Sequence, residues 1–130
     1  MSALVIDTSS WINYFRQSRR AALIEEALNE GRVYLPPLVA AELTSGVLGK
    51  RQREDLQSLL RDLPLCHSSI EHWFRVGALR AKLRHRGEAL STPDAHVAQC
   101  AIDLAAELLS EDQVFARIAA SAHLRLAIPG

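Results

Sequence analysis

The sequence predicts an α/β fold in which a mainly parallel sheet is covered by helices. Three observations carry this reading. Short apolar runs without polar alternation, such as Ala3–Ile6, fit strands buried on both faces. Longer segments with helical spacing separate these runs, and glycine, proline or hydroxyl residues mark the junctions. Strands alternating with helices imply parallel crossovers.

Taken in order, Ala3–Ile6 is a strand that stops abruptly at Asp7. Thr8, Ser9 or Ser10 can cap a helix through Trp11, Ile12 and Phe15. A second helix covers Ala21–Glu30 and stops at Gly31, a residue suited to the left-handed position after a helix. Val33–Leu35 is the next strand, and Pro36 and Pro37 open a helix over Leu38–Leu48. Lys50–Arg61 is a charged amphipathic helix with Leu56, Leu59 and Leu60 as its apolar contacts. Leu63–Cys66 is expected as a third strand despite Pro64. Ile70–Arg86 is a long helix ended by Gly87. Thr92 as cap and Pro93 as first residue start a helix running to about Ala106, apolar around much of its circumference and therefore buried. Glu107–Ser110 is a strand, a helix follows from about Asp112 to Ser121, and Leu124–Ile128 is the last strand.

With 130 residues, 48% of them hydrophobic, residues 1–130 fit a single domain with its own core. The formal net charge is +0, which argues against nucleic-acid binding through bulk charge alone. No N-terminal signal segment and no run of the roughly 18–20 apolar residues needed to span a bilayer is visible, so a cytoplasmic, non-membrane protein is expected. Cys66 and Cys100 are far apart in sequence and form neither a CxxC pair nor a usual zinc spacing; both read as small buried side chains.

The informative feature is where certain acids fall. Ligands of an open parallel sheet bind beyond the carboxyl ends of its strands. Asp7 follows the first strand, Asp112 lies just past the strand ending near Ser110, and Asp94 sits in the first turn of its helix. Glu42 interrupts an apolar helical stretch, where a lone buried carboxylate would be costly unless paired, metal-bound or turned to solvent. Singly, each acid has a structural explanation: Asp94 and Asp112 as first-turn acids, Asp7 as a cap, Glu42 as a solvated helix residue. Jointly they point to a cation, because crowded carboxylates repel unless one neutralises them. Hard oxygen donors suit Mg2+ or Mn2+. Ser9 and Ser110 are hydroxyls beside these acids and are candidates for orienting them, with local capping the competing explanation.

At these residues the chain resembles the PIN-domain family, and within it VapC-type toxins of bacterial toxin–antitoxin pairs. Leu4–Ile12 resembles the family's opening strand with its first acid, Leu35–Leu43 the segment with its second, and Ser91–Ala98 the segment with its third. Leu108–Phe115 is similar to the closing motif, a hydroxyl residue two before an acid. The four segments occur in order over almost the whole chain. One departure is Val114, where many relatives carry a further acid.

The resemblance implies a PIN-like three-layer α/β/α sandwich and metal-dependent hydrolysis of RNA phosphodiesters. It implies Asp7, Glu42, Asp94 and Asp112 as catalytic acids, with Asp7, Asp94 and Asp112 as metal ligands. It also implies a homodimer and a small antitoxin that occludes the acids. No P-loop, dinucleotide turn or Ser/His/Asp signature competes, and a carboxylate–metal site needs no side-chain nucleophile. All five histidines are read as non-catalytic. Arg75, Arg80, Lys82, Arg84 and Arg86 form a basic stretch able to contact RNA phosphates, unless it is only the solvated face of its helix. Trp11, Phe15, Trp73 and Phe74 fit a core or dimer interface better than base stacking. The alternative to an enzyme is a degenerate PIN domain acting as an RNA- or protein-binding module. A receiver-type signalling domain ranks last, since Asp7 is followed by Thr8 instead of a second acid and no lysine follows Lys82.

Overall fold

The computed structural model describes residues 2–17 and 20–127. Within them the order is β1 (Leu4–Ile6), α1 (Thr8–Phe15), α2 (Ala21–Asn29), β2 (Val33–Tyr34), α3 (Pro37–Thr44), α4 (Lys50–Arg61), α5 (Ile70–His85), α6 (Thr92–Asp103), β3 (Glu107–Leu109), α7 (Gln113–Ala122) and β4 (Arg125–Leu126). The strands form one parallel sheet in the order β2-β1-β3-β4. Successive side chains of a strand point to opposite faces, and Leu4, Val5 and Ile6 are all buried, so helices cover the sheet on both sides. This is the expected three-layer sandwich. Trp11, Ile24, Leu83, Leu108, Phe115 and Ile118 are among its fully buried side chains.

From β1 the chain crosses to β2 on one side, and it returns through α6 to place β3 on the other. The crossover direction therefore reverses between β1 and β3. At such a switch point the loops after two neighbouring strands diverge and leave a crevice at their carboxyl ends. The ladder runs right to that edge: Leu4 pairs with Glu107 and Ile6 with Leu109, and the Asp7 N–H donates to the Leu109 carbonyl at 3.0 Å. Asp7 and Ser110 are thus the first residues beyond the sheet on adjacent strands.

Several boundaries differ from the sequence expectation. Asp7 itself caps α1, its Oδ1 accepting the Thr8 N–H at 2.7 Å, in place of Thr8, Ser9 or Ser10. Ser91, not Thr92, caps α6, and its Oγ accepts the Asp94 N–H at 3.2 Å. α3 stops at Thr44 instead of Leu48; Thr44 Oγ1 bonds back to the Ala40 carbonyl at 2.8 Å, and Arg53 Nη1 donates to the Thr44 carbonyl at 2.6 Å, closing the helix end. α6 ends at Asp103, short of Ala106, through a left-handed Ala105 at φ 50° with the Ala106 N–H bonded to the Ala101 carbonyl. Leu63–Cys66 is not a strand. It is a single parallel bridge, Leu35 to Leu65, in which Pro64 supplies a carbonyl but has no N–H to extend the ladder. Of the last expected strand only Arg125–Leu126 pairs, and Ile128 lies outside the described residues.

α6 is buried along Ala95–Ala101, as its composition predicts. It packs on β1, β3 and α3, and most extensively on α5. This central position fixes Asp94, in its first turn, relative to the switch point.

Candidate functional site

The four acids singled out from the sequence share the rim at the switch point, where Asp7, Asp112 and Glu42 each act electrostatically on Asp94 without closing into a group within 4.8 Å. Asp7 is the buried member, 8% exposed, and its carboxylate is held from several directions. Oδ1 accepts the Thr8 N–H; Oδ2 accepts the hydroxyls of Ser9 at 3.2 Å and Ser110 at 2.7 Å. Ser110 Oγ in turn accepts the Asp112 N–H at 3.0 Å, so one hydroxyl ties the loop after β3 to the acid after β1. Asp112 caps α7 through Oδ1, which accepts the Val114 N–H at 3.0 Å. Ser9 and Ser110 therefore both donate a hydroxyl to the Asp7 carboxylate.

Glu42 faces solvent, the inexpensive solution open to an acid within an apolar helix. It also faces the rim, because Thr8 Oγ1 donates to its Oε1 at 2.8 Å. That contact joins α3 to the start of α1. Thr8 was legible only as a capping candidate, yet its backbone binds Asp7 and its hydroxyl binds Glu42. The remaining oxygens, Oε2 of Glu42 and Oδ2 of Asp112, have no hydrogen-bond partner among the described residues.

Asp94 completes the group. Its carboxyl is pushed above the ordinary aspartate range, first by burial and then by the negative charges of Asp7, Asp112 and Glu42, against the opposing pull of the Ser91 hydroxyl. All three other acids act on it, and no cationic side chain among the described residues does. The donor set is entirely hard oxygen, with its buried member pre-oriented by hydroxyls. This chemistry fits Mg2+ or Mn2+ and does not suit a thiophilic ion. Val114 is buried, so this position adds to the core and offers nothing to the rim.

Beyond the acids, the loop residue Glu111 accepts from Asn13 Nδ2 and lies 3.7 Å from Arg20, closing one flank of the rim. Sequence reading gave no signal for this trio, whose members are dispersed along the chain.

The basic stretch divides. Arg75 is engaged by Asp103, with Nε and Nη2 donating at 2.9 and 3.0 Å. Arg80 donates to the Leu90 carbonyl at 2.8 Å. Lys82, Arg84 and Arg86 are exposed and have no ion-pair partner among the described residues. Arg80 and Arg84 line a cleft of about 440 Å³ that reaches Ser91, the residue capping the helix of Asp94. Among the aromatics, Trp11 is buried in the core and Trp73 is half-buried, whereas Phe15 and Phe74 are 45% and 64% exposed.

Comparison with known proteins agrees with this fold. The family model described as the PIN domain matches residues 4–121. A VapC ribonuclease of Mycobacterium bovis and ribonuclease VapC11 of Mycobacterium tuberculosis are each 30% identical to this chain, covering 95% of it and 97% of the relative. Among solved structures, VapBC2 of Rickettsia felis bound to a promoter DNA fragment is 25% identical with a TM-score of 0.73, covering 95% of this chain and 96% of that one. A toxin–antitoxin complex of Klebsiella pneumoniae shares the fold at 24% identity and a TM-score of 0.73, covering 99% and 98%. By the family model, the full-length relatives and the four-strand parallel architecture together, the chain belongs to the PIN-domain family and is of the VapC type.

Proposed function

We propose that this protein is a Mg2+- or Mn2+-dependent endoribonuclease and the toxin of a toxin–antitoxin pair. The observation that carries the reading is the convergence of Asp7, Glu42, Asp94 and Asp112 at the switch point of a parallel sheet. The names of its relatives, VapC ribonucleases, supply the substrate class.

In this reading Asp7, Asp94 and Asp112 hold the metal, directly or through water. When bound, such an ion lowers the pKa of a coordinated water and polarises the scissile phosphate. Glu42 is a further ligand or orients the attacking water, for which its exposed carboxylate is placed. Ser9 and Ser110 fix the Asp7 carboxylate. The Arg80–Arg84 cleft, with Lys82 and Arg86 beyond it, receives backbone phosphates and offsets the repulsion between an acidic rim and a polyanion. Arg75 is committed to Asp103 and contributes less to RNA than its neighbours.

For the protein partners, the groove lined by Phe15, Leu48, Leu56 and Leu59, about 400 Å³, is a surface for an apolar segment of the antitoxin. Ile70 and Phe74, one turn apart on α5 and 62% and 64% exposed, offer an apolar face to a second copy in a homodimer. No helix among the described residues is long and apolar enough to cross a membrane.

The test is cleavage of defined RNAs with and without Mg2+ or Mn2+, with Asp7→Ala as control. Metal-dependent cuts absent from the variant support the enzyme. RNA binding without cleavage, together with no thermal shift at millimolar metal, would favour the binding-module alternative, to which buried Val114 lends its only support.

A further inference from the structure

On the side of α6 turned about 200° from Asp94 lies a second group of ligating atoms. His72 of α5 and His96 and Cys100 of α6 place one donor atom each within 4.8 Å of one another, and all three are buried. His72 and His96 are 0% exposed and Cys100 is 1%. His72 Nε2 lies 2.8 Å from His96 Nδ1, and Cys100 Sγ lies 3.7 Å from His96 Nε2. His96 and Cys100 stand four residues apart and share a face of α6. Cys66, from the segment before α5 and likewise buried, neighbours the Cys100 thiol but stands outside the group of three, so it must move in to complete the set.

The surroundings are built to hold these rings. The Asp103 carboxylate, itself bound by Arg75 and by Gln99 Nε2 at 2.9 Å, accepts from His72 Nδ1 at 2.9 Å. That bond directs the His72 Nε2 lone pair inward, the arrangement by which a carboxylate orients a metal-binding imidazole. Trp73 stacks on His96 with ring centres 4.6 Å apart and planes 10° from parallel. Burial, then the neighbouring His72, push the His96 pKa down to about 4, so its ring is neutral at pH 7 and keeps a lone pair for coordination. None of these residues belongs to the carboxylate rim.

We propose that His72, His96 and Cys100, with Cys66 as fourth donor, form a closed site for a thiophilic divalent cation, Zn2+. Two imidazoles and two sulfurs are a common tetrahedral zinc set, and full burial leaves no open position for substrate, as in structural sites. The rim and this core site differ in donor type: oxygen only on one side, nitrogen and sulfur on the other. Their metals are therefore selected by chemistry instead of competition. Binding displaces one proton from each thiol to solvent, and the two thiolates neutralise the ion, so the loaded site buries no net charge. Donors about 2.0–2.1 Å from a tetrahedral ion lie about 3.3 Å apart. The two rings, now sharing a proton, must therefore part by about 0.5 Å.

Co2+ titrated into the metal-stripped full-length protein is the test. One equivalent is expected to give the visible bands of tetrahedral cobalt with a thiolate charge-transfer band, and Zn2+ should abolish both. Asp94→Asn should keep this spectrum, separating the site from the carboxylate rim, whereas Cys100→Ala should cut the charge-transfer band by about half and the Cys66→Ala/Cys100→Ala double variant should lose it. Calorimetry in buffers of different ionisation enthalpy should count two protons released per ion. Wild-type protein that binds cobalt without a thiolate band, or not at all, overturns the proposal even if the cysteine variant does not fold. A band unchanged in a folded Cys100→Ala protein overturns it equally.

Discussion

Replacing Ser110 by alanine tests whether the rim is assembled as described. The substitution removes a 2.7 Å bond to Asp7 Oδ2 and the acceptor for the Asp112 N–H. A hydrogen bond to a charged group contributes about 1.5–3 kcal/mol, and one between neutral groups about 1 kcal/mol. The Asp112 amide lies at an exposed position where water can replace the lost acceptor, so that bond adds little. Asp7 is only 8% exposed and cannot rehydrate fully. Its Oδ2 would keep only the longer Ser9 contact at 3.2 Å. The expected loss is therefore about 2–3 kcal/mol, or roughly 6–12 °C in Tm for a domain of this size. Urea denaturation of metal-free protein measures it, with Ser110→Thr, which retains the hydroxyl, as control. Because Asp7 would lose its orientation, the Mg2+ midpoint in a thermal-shift titration should also rise by about 10-fold or more. A loss below about 0.5 kcal/mol with an unchanged Mg2+ midpoint would mean that Ser110 neither stabilises nor orients Asp7.

Asp94→Asn should act in the opposite direction on stability. Without metal it removes one charge from a repelling group, so the Tm in chelator should hold or rise while RNA cleavage is lost. Unfolding by several kcal/mol would instead identify Asp94 as structural. Ala105→Gly relieves a left-handed, exposed helix terminus and should stabilise the protein by about 0.5–1 kcal/mol, read by denaturation. Tyr14, pushed up to about 12 by burial and then by its hydrogen bond to Glu25, should titrate late in a spectrophotometric pH titration. Its folded pKa exceeds the unfolded value, so its contribution to stability is complete below about pH 10 and is lost as pH rises towards 12. Glu25→Gln should move that titration downwards.

The strand-ending acid was the most legible element, because an apolar β-branched run that stops at Asp7 leaves few structural alternatives. The helix of Asp94 was equally plain in position, but its cap was displaced by one residue. Ser91 and Thr92 carry the same hydroxyl, and only the backbone geometry distinguishes them. The end of α3 could not be read, since Leu48 continues the apolar spacing and the chain is stopped by hydroxyls and Arg53 bonding back to helix carbonyls. The end of α6 was hidden for another reason: a left-handed terminus usually announces itself with glycine, and here alanine occupies it. Thr8 was underestimated because its partner, Glu42, is brought to it by tertiary structure. The same holds for His72, which reaches His96 and Cys100, neighbours on one face of α6, only through the packing of α5 on α6.

The lone bridge between Leu35 and Leu65 has a bearing on solubility. Two-residue β2 would otherwise present an open row of backbone donors and acceptors to any passing chain. The stub containing Pro64 caps that edge only at Leu35, just past β2, and is too short and too poor in N–H groups to recruit a further strand. The sheet thus ends in a plug that discourages edge-to-edge polymerisation when the protein accumulates.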